Sequence, residues 1–413
     1  GFTQVKEIVS EGAYNMGDGE TPSVAESRAL LNAKRVALEQ AGTYVESYTK
    51  VENVQLTKDE IQVLASGIME VEILDKKRTI IGDGFRFWVK IKARVNPDKI
   101  QEMANKIKVK DKSVVEDYKK MQEAYDKSQK EIGELKKQLA QAKGEKEKKQ
   151  VEAKISDDER LFQANEWFEK GYKYGLNKEY DKAIEAYTSA IALNPNDAYA
   201  YTNRGLAYAY KRQFDRAIEE YNNAIALDKN LALVYYNLGN AYYHKGQFDR
   251  AIENYNKTIA LNPNDALAYI VRGAAYDDNG QYDKAIEDFN RAITLNPNNP
   301  EAYVNRGTYY DRKGRYERAI NDFTKAITIR PNYIKAYDKR GVMYGKIGKY
   351  QRAIEDFNKA IALDSNYAPA YDNRGLTYAK KGIMNRAISD FQRACDMGDE
   401  NGCENLQKAL QSR

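Results

Sequence analysis

The chain has 413 residues, 42% of them hydrophobic and 31% charged, with a formal net charge of +5. That length accommodates two or three domains. The charges are mixed in sign, and no segment is a basic stripe with interleaved aromatics, so nucleic acid is not expected as a partner. No run of 18 apolar residues is present, so no membrane span is expected. One histidine (His244), two cysteines, no glycine-rich phosphate loop after a strand and no nucleophile elbow leave no basis for an enzyme, a cofactor or a metal site.

Residues 1–108 read as a small α+β domain. Segment 3–16 has strand character. A helix follows from Thr21-Pro22-Ser23, with Ser23 and Glu26 spaced as a capping box. Ala25, Ala29, Ala33, Ala37 and Ala41 form an i, i+4 ridge that suits close packing on a sheet, and Gly42 is expected to weaken or bend this helix. Thr57 and Glu60 mark a second, shorter helix. Residues 70–81 and 85–95 read as a hairpin about Gly82-Asp83-Gly84. In the second strand Phe85, Phe87, Val89, Ile91, Ala93 and Val95 alternate with mostly basic residues, giving one core face and one face that is either solvated or open to an acidic partner. Pro97 then starts a helix to about residue 108. The run from Ala33 to Gly42 is similar to the helix of the bacterial LPP20-like and flagellar T-ring assembly families, a resemblance that implies a non-enzymatic domain working outside the cytoplasm.

Residues 109–157 read as a helical connector. Val114, Tyr118, Met121, Tyr125, Ser128, Ile132, Leu135, Leu139 and Ala142 follow alternating spacings of four and three, a seam of roughly four heptads. The seam serves either a spacer packed on its own protein or a coiled coil that joins chains into a homo-oligomer. Residues 144–157 read as a looser, solvated connection.

From residue 164 a 34-residue period governs the chain. Seven units begin at Ala164, Ala198, Ala232, Ala266, Pro300, Ile334 and Ala368. Position 8 is always glycine (Gly171 to Gly375) and position 20 always alanine (Ala183 to Ala387); positions 4, 11 and 24 are aromatic. Glycine and alanine let two helices approach closely, and the aromatics fill the space around that contact. Pro195, Pro263, Pro297 and Pro331 stop the second helix of their units. A period of this length marks helix pairs that stack, because one pair cannot bury its apolar face alone.

These residues resemble the tetratricopeptide repeat at its diagnostic positions, with arginine often standing where leucine is usual at position 7 (Arg204, Arg272, Arg306, Arg340, Arg374). The resemblance implies a right-handed superhelix whose groove is lined by first helices and binds a protein segment. Groove positions carry apolar residues early, including Phe168, Tyr172, Tyr199, Leu206, Tyr210 and Tyr236, and charged residues later, including Asp277, Asp278, Asp311, Arg312, Asp338, Lys346 and Asp372. Position 6 is asparagine at Asn203, Asn237, Asn305 and Asn373. Either these amides form a ladder that holds a peptide backbone, as in family members that bind extended peptides, or asparagine is simply frequent in that slot.

The last unit holds both cysteines. The run from Ala394 to Cys403 resembles the cysteine-paired Sel1-like repeats of secreted bacterial proteins, which implies a disulfide between Cys395 and Cys403; two free buried thiols are the alternative. Residues 402–413 are expected to cap the repeats, with Leu406 and Leu410 facing inward and Glu404, Gln407, Lys408 and Arg413 toward water. The chain begins at Gly1, as either a shortened or a processed form would. The expected architecture is therefore multidomain: the α+β domain (1–108), the coiled-coil-like connector (109–157), an all-α superhelix of seven repeats (158–401) and a capping helix (402–413). The expected function is a non-enzymatic protein-interaction scaffold of the bacterial envelope, periplasmic or extracellular. The alternative is a structural subunit of an extracellular filament or sheath, with the chain itself as the partner.

Overall fold

Strand β1 (Lys6–Met16) and helix α1 (Pro22–Val51) meet along the alanine ridge, and all five alanines are fully buried. The fit is so close that a Cβ on Gly12 would lie 2.2 Å from the Ala33 backbone nitrogen and 2.3 Å from the Ala29 carbonyl oxygen. The Ser10 hydroxyl donates to the Ala33 carbonyl, and the Asn32 amide to that of Ala13. A computed structural model describes residues 4–51, 56–82, 84–109 and 112–411; Thr3, Asp83 and Arg413, which the sequence placed in a strand, a turn and a cap, lie outside them.

Helix α1 runs unbroken through Gly42, where the Gln62 side chain lies alongside. One expectation for α1 is corrected: it starts at Pro22, so Ser23 sits inside the first turn, and Glu26 pairs with Lys76 instead of closing a capping box. The box on α2 (Lys58–Ile68) does form, with the Thr57 hydroxyl accepting from the Glu60 amide and the Glu60 carboxylate from the Thr57 amide. Strands β2 (Met69–Ile81) and β3 (Gly84–Val95) make the hairpin, and an antiparallel sheet of order β1-β3-β2 results. Three of the basic residues on β3 are paired from the neighbouring strands: Arg94 with Glu7 and Glu72, Lys92 with Glu7, and Lys90 with Glu11. After α3 (Pro97–Val109) the chain enters two long helices, α4 (Lys112–Gln141) and α5 (Glu145–Leu176).

The heptad seam of α4 is used inside the chain. Tyr118, Met121 and Tyr125 are buried in the same core as α1 and β3. Ile132 and Leu135 pack on Val151 and Ile155 of α5. The seam is thus the face of a helical hairpin, not a surface left for a second chain. The looser connection expected at 144–157 is likewise corrected: Gly144 is the N-cap of α5, and residues 145–157 continue unbroken into the first helix of the first repeat. Nothing in that lysine- and glutamate-rich run breaks a helix, and Val151 and Ile155 give it one apolar stripe.

Polar groups fasten the hairpin to the sheet. The fully buried Arg28 of α1 donates to Asp158 of α5 (2.6 Å) and to Ser128 of α4 (3.0 Å), and its guanidinium lies 4.3 Å from the Phe162 ring centroid. The Thr21 amide donates to Glu159, and Lys136 reaches Glu20.

Packing divides the chain into two bodies, Gly1–Lys229 and Asn230–Arg413. The first also contains α6 (Tyr180–Leu193), α7 (Ala198–Tyr210) and α8 (Phe214–Leu227). The second holds five helix pairs: α9 (Ala232–His244) with α10 (Phe248–Leu261), α11 (Ala266–Asp278) with α12 (Tyr282–Leu295), α13 (Pro300–Arg312) with α14 (Tyr316–Ile329), α15 (Ile334–Lys346) with α16 (Tyr350–Leu363), and α17 (Ala368–Lys380) with α18 (Met384–Asp396). It ends in α19 (Glu400–Gln411).

The repeat positions do what their chemistry suggests. A Cβ on any position-8 glycine would come within 2.5–2.8 Å of the ring at position 24, as between Gly307 and Phe323. The arginines at position 7 clamp neighbouring helices. Arg306 makes two parallel bonds to Asp322 (2.8 Å each) and a third to Asn290 of the preceding repeat. Arg272, Arg340 and Arg374 make the same two bonds to Asp288, Asp356 and Asp390, whereas Arg204 reaches both Glu220 oxygens through the single nitrogen Nη2.

At the end of the chain Cys395 and Cys403 form a disulfide between α18 and α19. Leu406 packs on the last repeat with Ala409, whereas Leu410, expected inward, is 52% exposed. The contact is made by the i, i+3 pair 406 and 409, and Leu410 stays toward water.

Candidate protein-binding face

The first helices of successive repeats present positions 2, 5, 6, 9, 12 and 13 on one face. In the body 1–229 this face is formed by α5 and α7, and α4 lies on it. Two of the expected ligand anchors are core residues: Phe168 is 2% exposed and Tyr172 4%. The Tyr172 hydroxyl donates to the Val114 carbonyl of α4 (3.0 Å). Tyr199 donates to Glu116, and the Lys120 ammonium sits 4.0 Å from its ring centroid and 5.0 Å from that of Phe168. Lys120 also pairs with Asp197, the N-cap of α7. The Asn203 amide donates to Asp117 of α4 (3.0 Å) and to the Tyr199 carbonyl (3.1 Å). Glu169, at position 6 of the first repeat, accepts from the Tyr125 hydroxyl. Burial pushes its carboxyl up, but the charges of Lys173 and Lys34 outweigh this and hold it down at about 2. The chain thus fills the first part of the face with its own helix.

Leu206 and Tyr210 remain beyond α4. They border an open cleft of about 270 Å³ between the start of α4, the end of α5, α6 and α7. The Tyr210 ring is 51% exposed and stacks on Tyr180, with centroids 5.0 Å apart and planes at 11°.

In the body 230–413 the face is polar and bridges its own repeats. Tyr243 donates to Asp278. Arg312 pairs with Asp277 (2.7 Å) and lies 3.8 Å from Asp278. Lys346 pairs with Asp311. The Asn373 amide donates to Asp338 (2.9 Å), and Asn405 of α19 donates to Asp372 (2.8 Å). Burial pushes the carboxyls of Asp338, Asp277 and Asp372 up, and it lowers the Lys339 ammonium. Tyr236 is half-buried, with its ring 6.3 Å from that of Tyr255.

The four position-6 asparagines therefore separate into two kinds. Asn203 and Asn373 are held by carboxylates of the chain itself. Asn237 is 8% exposed, and its Nδ2 has no hydrogen-bond partner among the described residues. Asn305 is half-buried, and no side-chain hydrogen bond of its amide is seen among the described residues. The signal was in the sequence: Asp338 stands 35 residues before Asn373, whereas Ile270 stands 35 before Asn305. The capture of Asn203 by α4 had no such signal, because Asp117 lies outside the repeats.

Among the described residues, no helix is long and apolar enough to cross a membrane. Family models described as tetratricopeptide repeat match residues 236–300, 270–334 and 368–397, and one described as TPR repeat matches 171–211, 210–246 and 343–382. No curated protein matches the chain. A tetratricopeptide repeat protein from Parabacteroides merdae is similar in structure, at 24% identity over 60% of this chain and 98% of that one, with a TM-score of 0.50. The chain is also similar to one in the Cut9–Hcn1 hetero-tetramer of the APC/C, at 18% identity over 64% of this chain and 59% of that one, with a TM-score of 0.51. YrrB, described as a TPR protein with an unusual peptide-binding site, is 27% identical over 48% of this chain and 99% of its own, with a TM-score of 0.37.

Proposed function

We propose, for a chain that carries tetratricopeptide repeats through residues 171–334 and 343–397, that it is a non-enzymatic scaffold of the bacterial envelope. It holds an extended segment of a partner protein on the first-helix face of the body 230–413. The supporting observation is the buried, unspent amide nitrogen of Asn237, with the half-buried Asn305 in the same repeat position two units on. A buried amide nitrogen without a partner costs about 1–3 kcal/mol. A peptide backbone laid along the face supplies the missing acceptor, and an amide that both donates and accepts reads backbone without demanding one sequence. The ion pairs Arg312–Asp277 and Lys346–Asp311, at first-helix positions 12 and 13, give such a segment charged neighbours of both signs. Placement in the envelope draws support from the disulfide at Cys395–Cys403, since such bonds persist in oxidising compartments. The filament reading keeps less support, because the seam that was to join chains is spent inside one.

The test uses a peptide selected on the protein from a random library. Replacing Asn237 and Asn305 by alanine weakens its binding by about 1–3 kcal/mol with the melting temperature held, whereas the same change at Asn373 acts mainly on stability. Unaltered affinity in the double variant would remove the basis of this reading.

A further inference from the structure

The cleft beside Tyr210 lies in the other body and is independent of the two free asparagines. It shares with the proposed function only the premise that the repeats bind protein segments. Its walls are the side chains of Val114, Tyr172, Tyr180, Leu206 and Tyr210, with Asp117 among them. Asp117 is 3% exposed, and one of its carboxylate oxygens accepts from Asn203. An anionic group set in a wall of rings is the arrangement that favours a cation. The ring faces carry negative quadrupole potential, and the carboxylate adds a formal charge in a medium where it is poorly screened.

The same surface already holds an ammonium. Three residues along α4 from Asp117, Lys120 lies over the Phe168 and Tyr199 rings and is paired with Asp197. Its environment is therefore two aromatic faces and an acid, as in the cleft. The cleft opens in the first turn of α4, beside Val114, so it continues an interface that the chain makes with its own lysine-bearing helix.

We propose that this cleft receives one cationic side chain, a lysine or arginine of a partner protein, held against the stacked Tyr180 and Tyr210 rings with the buried Tyr172 as its floor, and balanced by Asp117. The stacked Tyr180–Tyr210 pair forms the outer wall, where its exposed ring face meets the alkyl stem. Leu206 supplies further apolar surface for that stem. Lys178 stands exposed at the mouth and opposes the entry of a positive charge.

The probe is N-acetyl-lysine N-methylamide, titrated into the full chain and followed by the NMR ring signals of the tyrosines. The control is the norleucine analogue, which has the same stem without the ammonium. The lysine compound is expected to bind saturably and at least about tenfold more tightly than the control, within the range of a desolvated cation over aromatic faces. Tyr210→Ala, a change at a half-exposed ring that leaves the fold intact, should weaken it about fivefold or more. Asp117→Asn should weaken it further, with far-UV circular dichroism confirming the fold. Lys178→Ala should tighten it. Equal binding of the two compounds would overturn the proposal in favour of a purely apolar anchor site. Absence of any saturable change at Tyr180 and Tyr210 up to the solubility limit would overturn it outright. Neither result touches the reading of Asn237 and Asn305, because the probe needs no partner segment on the other body.

Discussion

The face built from first helices is used in opposite ways in the two bodies. In residues 1–229 it is apolar and aromatic, and α4 covers it with Glu116, Asp117 and Lys120. In residues 230–413 the same positions carry charges that bridge one repeat to the next, and two amides are left over. The lesson concerns how a repeat position acquires a role. Asparagine at position 6 is identical in sequence at 203, 237, 305 and 373. What it does depends on whether a carboxylate of the same chain reaches it. An aromatic at positions 5 or 9 becomes core when a helix is laid over it, as at Phe168 and Tyr172. Counting groove residues by position alone merges two different surfaces.

The largest expected difference between the bodies lies in how each is fastened. Arg28 is wholly buried, and its removal strands the Asp158 carboxylate at 4% side-chain exposure. Arg28→Ala should cost about 3–5 kcal/mol in urea denaturation, the usual penalty for breaking a buried pair from one side. The arginine clamps of the second body are partly wet; the Arg306 side chain is 21% exposed. Arg306→Ala should therefore cost about 1.5–3 kcal/mol, the range of hydrogen bonds to charged groups. Equal losses at the two sites would show that the Arg28 centre does not anchor α4 and α5 to the sheet.

A second contrast concerns close approach. A Cβ at Gly12 meets backbone atoms of α1, which cannot give way without moving the helix. A Cβ at Gly307 meets Cε1 of the Phe323 ring at 2.8 Å, and a ring can tilt. Both substitutions to alanine overpack. We expect about 3 kcal/mol at Gly12 and about 1–2 kcal/mol at Gly307, compared by thermal melting. The reverse order would mean that β1 and α1 can separate more easily than two helices of a repeat.

Much of this architecture is legible before folding. The 34-residue period places all the helix pairs, because each position has one steric task and repeats it. The alanine ridge announces a helix lying flat on a sheet, and the spacing at Thr57 and Glu60 announces a cap that forms. What escapes is whatever depends on one segment meeting another that shares no period with it. The heptad seam specifies that α4 has an apolar stripe but not what covers it; Ile132 and Leu135 find Val151 and Ile155 after a turn that no residue between 142 and 144 forces. Arg28 looks like an outward residue of an alanine-ridged helix until α5 brings Asp158 to it. The position-7 arginines look like departures from leucine, although each has its acid 16 residues later, a regularity that was there to be read.

The smallest expected effect lies in the corner between the two helices of each repeat. Position 15 takes a left-handed backbone in all seven units. In the second body it is always glycine, with φ between 68° and 76° from Gly246 to Gly382. In the first body it is Lys178 (φ 63°) and Arg212 (φ 60°). A side chain in that region costs roughly 1–2 kcal/mol, and glycine gives part of this back through its freer unfolded chain. Arg212 is exposed, so its replacement removes little packing. Arg212→Gly should thus stabilise the chain by a few tenths to about 1 kcal/mol, and Gly314→Ala should destabilise it by about 1 kcal/mol. Paired urea titrations check both signs. If Arg212→Gly instead lowers stability, the arginine contributes a favourable interaction large enough to offset its backbone strain. The non-glycine corners of the first body would then be held by side-chain contacts, in contrast to the five glycine corners of the second body, which carry no strain to offset.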